Sequence, residues 1–335
     1  MSDSSAVALQ HPTGAWADEL RAPVIAAPMF LLSGPDMVVA AAQAGIVGAF
    51  PTLNARTIQD LENWLKDITS RIAVLKAAGD CPGTWAANVV AHSTNRRLKQ
   101  DLELLLAYKP PIVITALGSP RRVVEYVHSY GGMVIADVNS VGFARKAVDA
   151  GVDGLLLVAS GAGGHTGELS PFAFVETVRS FWDGLLVLAG SISTGRAVKA
   201  ALTLGADMVS IGTRFIATHE SMAQAEYKRM VIDSGFDDIL RTDAFTGAWA
   251  NMLRPSIIRA GLDPDHLKPA GPMDVTDDPH AGNRAWRDIW SAGHGVGLVT
   301  RVQSVGEVVD DLVREFSTAS DRCRRTYPTN PGGTA

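Results

Sequence analysis

Cysteine is nearly missing from this chain, with two among 335 residues. That excludes a disulfide framework, and Cys81 has no companion residues at metal-site spacing, so no metal is expected. Such sparse cysteine fits a reducing compartment. No apolar run approaches the ~18 residues of a membrane span. The first 20 residues are polar rather than lysine followed by an apolar core, so no signal peptide is visible. A cytoplasmic location without membrane attachment is the expectation. Positive charge is also in short supply: 30 Lys and Arg face 35 Asp and Glu, for a net charge of −5. The cations are scattered along the chain, which argues against a nucleic-acid partner. Two nucleotide fingerprints are absent as well. No G-x-G-x-x-G opens a helix, and no G-x-x-x-x-G-K-[ST] occurs.

What is present is a rhythm. Short apolar or β-branched runs occur at 23–29, 45–50, 84–90, 111–116, 131–138, 151–159, 184–190 and 206–212. They alternate poorly, as strands buried on both faces do. Between them lie helical patterns at 33–45, 57–69, 95–108, 120–130, 141–151, 171–181 and 194–205. Several open with Ser, Thr or Asn, and several close with Gly. Eight βα units in about 200 residues predict an α/β fold of the closed (β/α)8 TIM-barrel type. The rival open doubly wound sheet would carry a glycine fingerprint after its first strand, where Ala26, Ala27, Pro28 and Met29 stand instead. Beyond residue 213 the rhythm changes, and 263–282 is rich in Pro, Asp and Gly. The expected organisation is a barrel over 20–225 and 295–320, with a mainly helical C-terminal extension at 226–294 on the substrate side. Flexible tails are expected at 1–15 and 321–335.

In such a barrel, chemistry belongs to the loops that follow the strands. "AGSISTG" (189–195) follows the seventh run and "SIGTRF" (210–215) the eighth. Each offers backbone N–H groups and a helix start to a phosphate, although tight turns also need glycine. After the sixth run comes "SGAGGHTG" (160–167), in which four glycines surround His165. A core histidine, a metal ligand and an acid–base group are the alternatives. The third is preferred, because the glycines let backbone approach a flat ligand and no second metal ligand stands at convincing spacing. Asn88 in the third run and Asp137 ending the fifth are polar residues in apolar strands. Each is either a buried hydrogen-bonder or a cofactor contact. Pro28 breaks the first run where a site loop would begin. His294, between Gly293 and Gly295, is either part of an ordinary turn or a cover over bound ligand.

These segments, together with "ALTLGADMVSIGTRFIATHES" (201–221), "FTGAWANMLR" (245–254) and "SAGHGVGL" (291–298), carry a resemblance. Over most of 20–310 the chain resembles the nitronate monooxygenase family, whose members are FMN-dependent (β/α)8 flavoenzymes. It is more distantly similar to the flavin-dependent enoyl-acyl-carrier-protein reductases. The resemblance implies FMN, with Ala27, Pro28 and Met29 against the flavin ring and Asn88 near its isoalloxazine or ribityl region. Ala159, Ser160, Gly163 and Gly164 would pass beside the cofactor. Gly190 and Ser191, with Gly212 and Thr213, would hold its phosphate. Gly293, His294 and Gly295 would form a loop nearby, and Asp137 is counted among the cofactor-side residues. His165 matches the histidine that serves the family as base or substrate-orienting group.

The implied activity is oxidation of alkyl nitronates with O2 to carbonyl compounds and nitrite. The alternative is NAD(P)H-dependent reduction of quinones or enoyl thioesters. A non-catalytic barrel binding phosphorylated ligands is the third reading, and a homodimer is compatible with any of them. Three departures from the family pattern bear on the substrate. Ser191 replaces a glycine, which a Cβ tolerates if φ is negative. His294 stands where glutamine is usual. "SGAGGH" lacks the glutamate usually found before the paired glycines.

Overall fold

The computed structural model describes residues 16–270 and 286–326. Of the expected tails and extension, 1–15, 271–285 and 327–335 lie outside the described residues. Every one of the eight runs forms a strand. In chain order these are β1 (Val24–Ala26), β2 (Val47–Pro51), β3 (Thr84–Val90), β4 (Ile112–Ala116), β5 (Met133–Val138) and β6 (Gly154–Val158). After a short β7 (Gly164–His165) outside the barrel come β8 (Leu185–Ala189) and β9 (Met208–Ile211). The eight barrel strands are parallel, and pairing of Ile25 with Ser210 closes the ring between β1 and β9.

Alternate strand residues explain the weak alternation of the sequence. Ile25, Val47, Ala86, Ile114, Leu156 and Val187 fill the barrel, while Val24, Phe50, Val89 and Val113 pack outward under the helices. A strand apolar on both faces reads as a continuous run. Each fully buried Ile or Leu contributes about 1.5–3 kcal/mol relative to exposure.

The expected helices follow: α1 (Pro35–Gln43), α2 (Ile58–Ala77), α3 (Leu98–Tyr108), α4 (Arg121–His128), α5 (Val141–Asp149), α6 (Pro171–Arg179) and α7 (Gly195–Leu204). Thr57 opens α2 with a reciprocal cap: its hydroxyl accepts from the Asp60 N–H at 3.0 Å, and the Asp60 carboxylate accepts from the Thr57 N–H at 3.0 Å. Ser140 and Thr194 cap α5 and α7 in the simpler way.

No barrel helix follows β9 directly. A single turn, α8 (Thr213–Ile216), leads into α9 (Ala225–Asp233), β10 (Ile239–Thr242), β11 (Ala250–Leu253) and α10 (Arg254–Arg259). Only then does α11 (Val305–Thr326) return to pack against α7 and α1 as the eighth outer helix. Its seat depends on Gly195. A Cβ there would lie 2.0 Å from the Leu312 carbonyl oxygen, and the Gly195 N–H donates to Glu315 at 2.8 Å.

The C-terminal helices stand as the sequence implies, but the extension also holds strands that the sequence pattern does not announce. β10 and β11 pair antiparallel, and β7 adds to β11 through Ala250–His165 and Asn251–Gly164. Four-residue strands are too short for their period to declare itself. Among the described residues, no helix is long and apolar enough to cross a membrane.

Candidate active site

A cavity of about 1560 Å³ opens at the C-terminal ends of the barrel strands. A small-molecule site usually occupies about 300–1,000 Å³, so there is room for a cofactor and a substrate together. The structure brings most of the expected residues to its wall: Ala27, Pro28, Met29, Asn88, Asp137, Gly163, Gly164, His165, Gly190, Ser191, Gly212, Thr213, Gly293 and Gly295. Ala159, Ser160 and His294 are not on it. Ala159 is buried, its N–H donating to the Ala189 carbonyl at 2.9 Å. The Ser160 N–H donates to Leu169 at 2.8 Å. The His294 ring turns away onto Phe236, edge to face at 4.9 Å between centroids.

The loop after β1 is shaped by a residue that sequence reasoning missed. Buried Asn54 donates to the carbonyls of Met29 (2.9 Å) and Ser33 (2.8 Å) and accepts from the Leu31 N–H at 2.8 Å. Leu31 is thereby held at φ 62°, a region costly for any side chain with a Cβ.

The glycines of the β6 loop also allow two loops to pack closely. A Cβ on Gly163 would lie 2.7 Å from the Gly293 nitrogen, and one on Gly293 would lie 2.5 Å from the Gly161 carbonyl oxygen. The two glycine loops interlock, and the Gly161 carbonyl accepts from the His294 N–H at 3.0 Å. Their absent side chains let backbone meet backbone. Tyr227 fixes the second loop further back: its hydroxyl donates to the Ser291 carbonyl at 2.6 Å, and its ring stacks on Trp290 at 4.7 Å.

Ser191 departs from expectation. Its φ is 59°, not negative, at a cost of about 1–2 kcal/mol for a residue bearing a Cβ. Its hydroxyl donates to the Ser160 carbonyl at 3.2 Å, tying the β8 loop to the β6 loop.

Two features of the loops after β8 and β9 fit the phosphate of FMN. The N–H groups of Ile192, Ser193 and Gly212 form no hydrogen bond among the described residues, though all three residues line the cavity. Backbone donors left open toward the cavity in this way are available to phosphate oxygens. Gly212 is the second feature. Its φ is −105°, and a Cβ there would make only ordinary contacts, 3.5 Å to the Met29 sulfur and 3.6 Å to the Ala27 Cβ. The polypeptide itself does not require glycine at this position, whereas close approach by a bound group does.

His165 is fixed by the β7–β11 ladder rather than left loose in its loop. Its Nε2 lies 3.1 Å from the Thr246 hydroxyl, which itself donates to the Ala248 carbonyl at 3.1 Å. The Thr246 oxygen also lies 3.4 Å from the Ala248 N–H. The tautomer that satisfies the imidazole contact while Thr246 donates to the Ala248 carbonyl carries its hydrogen on Nε2, and Nδ1 makes no hydrogen bond among the described residues. Trp286 meets the ring edge to face at 5.3 Å. Burial lowers the imidazole pKa to about 4, so the ring is neutral at physiological pH.

Asp137, next to last in β5, presents a carboxylate that is open to the cavity but enclosed by protein, and burial pushes its pKa up to about 7. Among the described residues its side chain makes no hydrogen bond or ion pair. Asn88 donates one amide hydrogen to the Ile114 carbonyl at 3.1 Å, so part of its role is structural. No cluster of His, Cys, Asp and Glu able to hold a metal occurs among the described residues.

Against known proteins, a family model described as nitronate monooxygenase matches residues 17–315. A putative monooxygenase of Mycobacterium tuberculosis is 32% identical over 67% of the chain, which spans 64% of that relative's length. A 5-hydroxy-7a-methyl-1-oxo-octahydro-1H-indene-4-carboxyl-CoA dehydrogenase of the same organism is 26% identical over 70% of the chain and 64% of its own length. Among solved structures, a nitroalkane oxidase from Streptomyces ansochromogenes superposes with a TM-score of 0.75. It is 23% identical and covers 92% of this chain and 100% of its own, a likeness of fold.

Proposed function

The chain belongs to the nitronate monooxygenase family, and we propose that it is an FMN-dependent oxidoreductase converting alkyl nitronates and O2 to carbonyl compounds and nitrite. The observation that carries this reading is His165, a neutral imidazole on the cavity wall with Nε2 beside Thr246 and no hydrogen bond to Nδ1 among the described residues. FMN, when bound, supplies the redox chemistry between substrate and O2. Gly190, Ser191, Gly212 and Thr213 would hold its phosphate through backbone N–H groups of their loops. Ala27, Pro28, Met29 and Asn88 would wall the ring.

His165 would do two things. Toward a nitronate, the ring would position the anionic nitro group once Nδ1 is protonated, a form that the anion's own charge favours. Toward a neutral nitroalkane, Nδ1 takes the proton from the carbon next to the nitro group. A pKa near 4 keeps the base form ready but makes it weak. An anion bound beside it raises that pKa and so strengthens the base.

A second reading, NAD(P)H-dependent chemistry on a quinone or enoyl thioester, is favoured by the size of the cavity and by the relative named for a CoA thioester. Anaerobic mixing separates the two. Bleaching of bound flavin by a nitronate and not by NADH or NADPH supports the first, and the reverse supports the second. Under the first reading, His165→Ala keeps FMN but slows nitroalkane oxidation by about 100-fold, the usual scale for a lost acid–base group. Unchanged turnover would remove His165 from the mechanism.

A further inference from the structure

The cavity has a limb that the flavin reading does not use. It runs along the loops after β2, β3 and β4 to helix α5, and its wall includes Arg56, Arg96, Arg121 and Lys146. All four side chains are exposed, and among the described residues none forms an ion pair. The Arg121 guanidinium donates to the Asp149 backbone carbonyl at 3.3 Å, and the Lys146 ammonium lies 5.5 Å over the Phe143 ring. A fifth cation, Arg97, is already paired with buried Asp101 at 3.1 Å. Asp137 and Asp149 are the carboxylates on this wall, outnumbered by the four unpaired cations. In a chain of net charge −5 such a grouping is a local reversal of sign.

Position separates this limb from the proposed phosphate cradle. In the closed order β1-β2-β3-β4-β5-β6-β8-β9, strands β3 and β4 stand across the barrel from β8 and β9. Cations on the β3 and β4 loops therefore face a second group of anionic charge, not the phosphate held by the β8 and β9 loops. A second observation gives that group its chemistry. Phe143, 55% exposed, lies on the same wall as an aromatic ring with Lys146 beside it, which suits a stacked nucleobase next to a phosphate.

We propose that this limb binds a phosphorylated adenine nucleotide, with Phe143 under the base and Arg56, Arg96, Arg121 and Lys146 around the phosphates. Two carriers share that chemistry: the 3′-phospho-ADP tail of a coenzyme A thioester and the 2′-phospho-ADP half of NADPH. The inference rests on the second reading of the function given above and names what its substrate or reductant brings.

The test is calorimetric titration of the FMN-loaded protein with free coenzyme A, NADPH and NADH. Salt is varied from about 10 to 100 mM, over which the Debye length falls from about 30 to 10 Å. The expected result is binding that weakens with salt and drops about tenfold or more in the Arg96→Gln/Arg121→Gln double variant. Phe143→Ala weakens binding with no change in salt dependence. Flavin absorbance shows that each variant is folded and loaded. Tight coenzyme A with weak NADPH assigns the limb to a thioester, and a crotonyl-coenzyme A KM well below that of crotonyl-N-acetylcysteamine confirms it. Tight NADPH with weak NADH and weak coenzyme A assigns it to the reductant. Failure of all three to bind, binding indifferent to salt, or full affinity in the double variant overturns the proposal. A protein that takes up no FMN yet binds coenzyme A through these cations refutes the flavin reading and leaves the limb standing.

Discussion

Replacing Asp137 by Asn makes the protein more stable at high pH, which is unusual for a residue on the wall of an active-site cavity. Burial moves the carboxyl pKa from 3.8 to about 7. The folded chain therefore holds this proton more tightly than the unfolded chain does, and stability falls as pH rises through that window. A tenfold difference in proton affinity is worth about 1.4 kcal/mol, so the full penalty above pH 7 would be about 4 kcal/mol. The carboxylate is open to cavity water, however, and screening reduces the penalty to about 1–2 kcal/mol. Asp137→Asn removes the titration and recovers that amount at about pH 8, raising Tm by about 1–3 °C. Near pH 4 the parent carboxyl is protonated as well, and the two proteins should melt together. Calorimetric scans of FMN-loaded parent and variant across this range test the reasoning. A variant less stable than its parent at high pH, or a gain that ignores pH, would refute it.

Other substitutions probe the site from different sides. Thr246→Val removes the partner of His165 Nε2 and should lower nitroalkane turnover about tenfold, the scale of a lost hydrogen bond of about 1.4 kcal/mol, while Thr246→Ser restores it. Steady-state rates of the three proteins decide the point. Asn54→Leu strands the Leu31 N–H and the Met29 and Ser33 carbonyls, costing about 3 kcal/mol or more by urea unfolding, and a loss under about 1 kcal/mol would contradict the clamp. Gly163→Ala drives a methyl group to 2.7 Å from the Gly293 nitrogen. The loops must part, and FMN affinity measured by fluorescence titration should drop about tenfold or more.

The barrel was legible because its strands are apolar on both faces, so each reads as a run bounded by polar punctuation. The short β7, β10 and β11 were not, since their pairing depends on chain far from each of them. The same limit hid the supports of the site. Thr246 is 81 residues from His165, Tyr227 is 64 from Ser291, and Asn54 is 23 from Leu31. Nothing in the local pattern of a Thr or a Tyr announces such a partner. The glycines around His165 and His294 were visible as special but not as a mutual fit, because each loop's crowding comes from the other. Ser191 looks tolerable in sequence only at negative φ, yet a hydrogen bond to Ser160 accompanies the opposite conformation. Cations scattered along a sequence show no grouping. The fold collects four of them on two loops and two helices along one side of the barrel mouth.

Under the proposed function this cavity holds FMN, which takes electrons from a nitronate bound at a site organised around His165. Anaerobic addition of a propyl nitronate to the FMN-loaded protein tests it most directly, with flavin absorbance followed through the reaction. Rapid bleaching is the predicted result, with restored colour and nitrite release on admitting O2. Flavin that stays oxidised in the presence of the nitronate would contradict it.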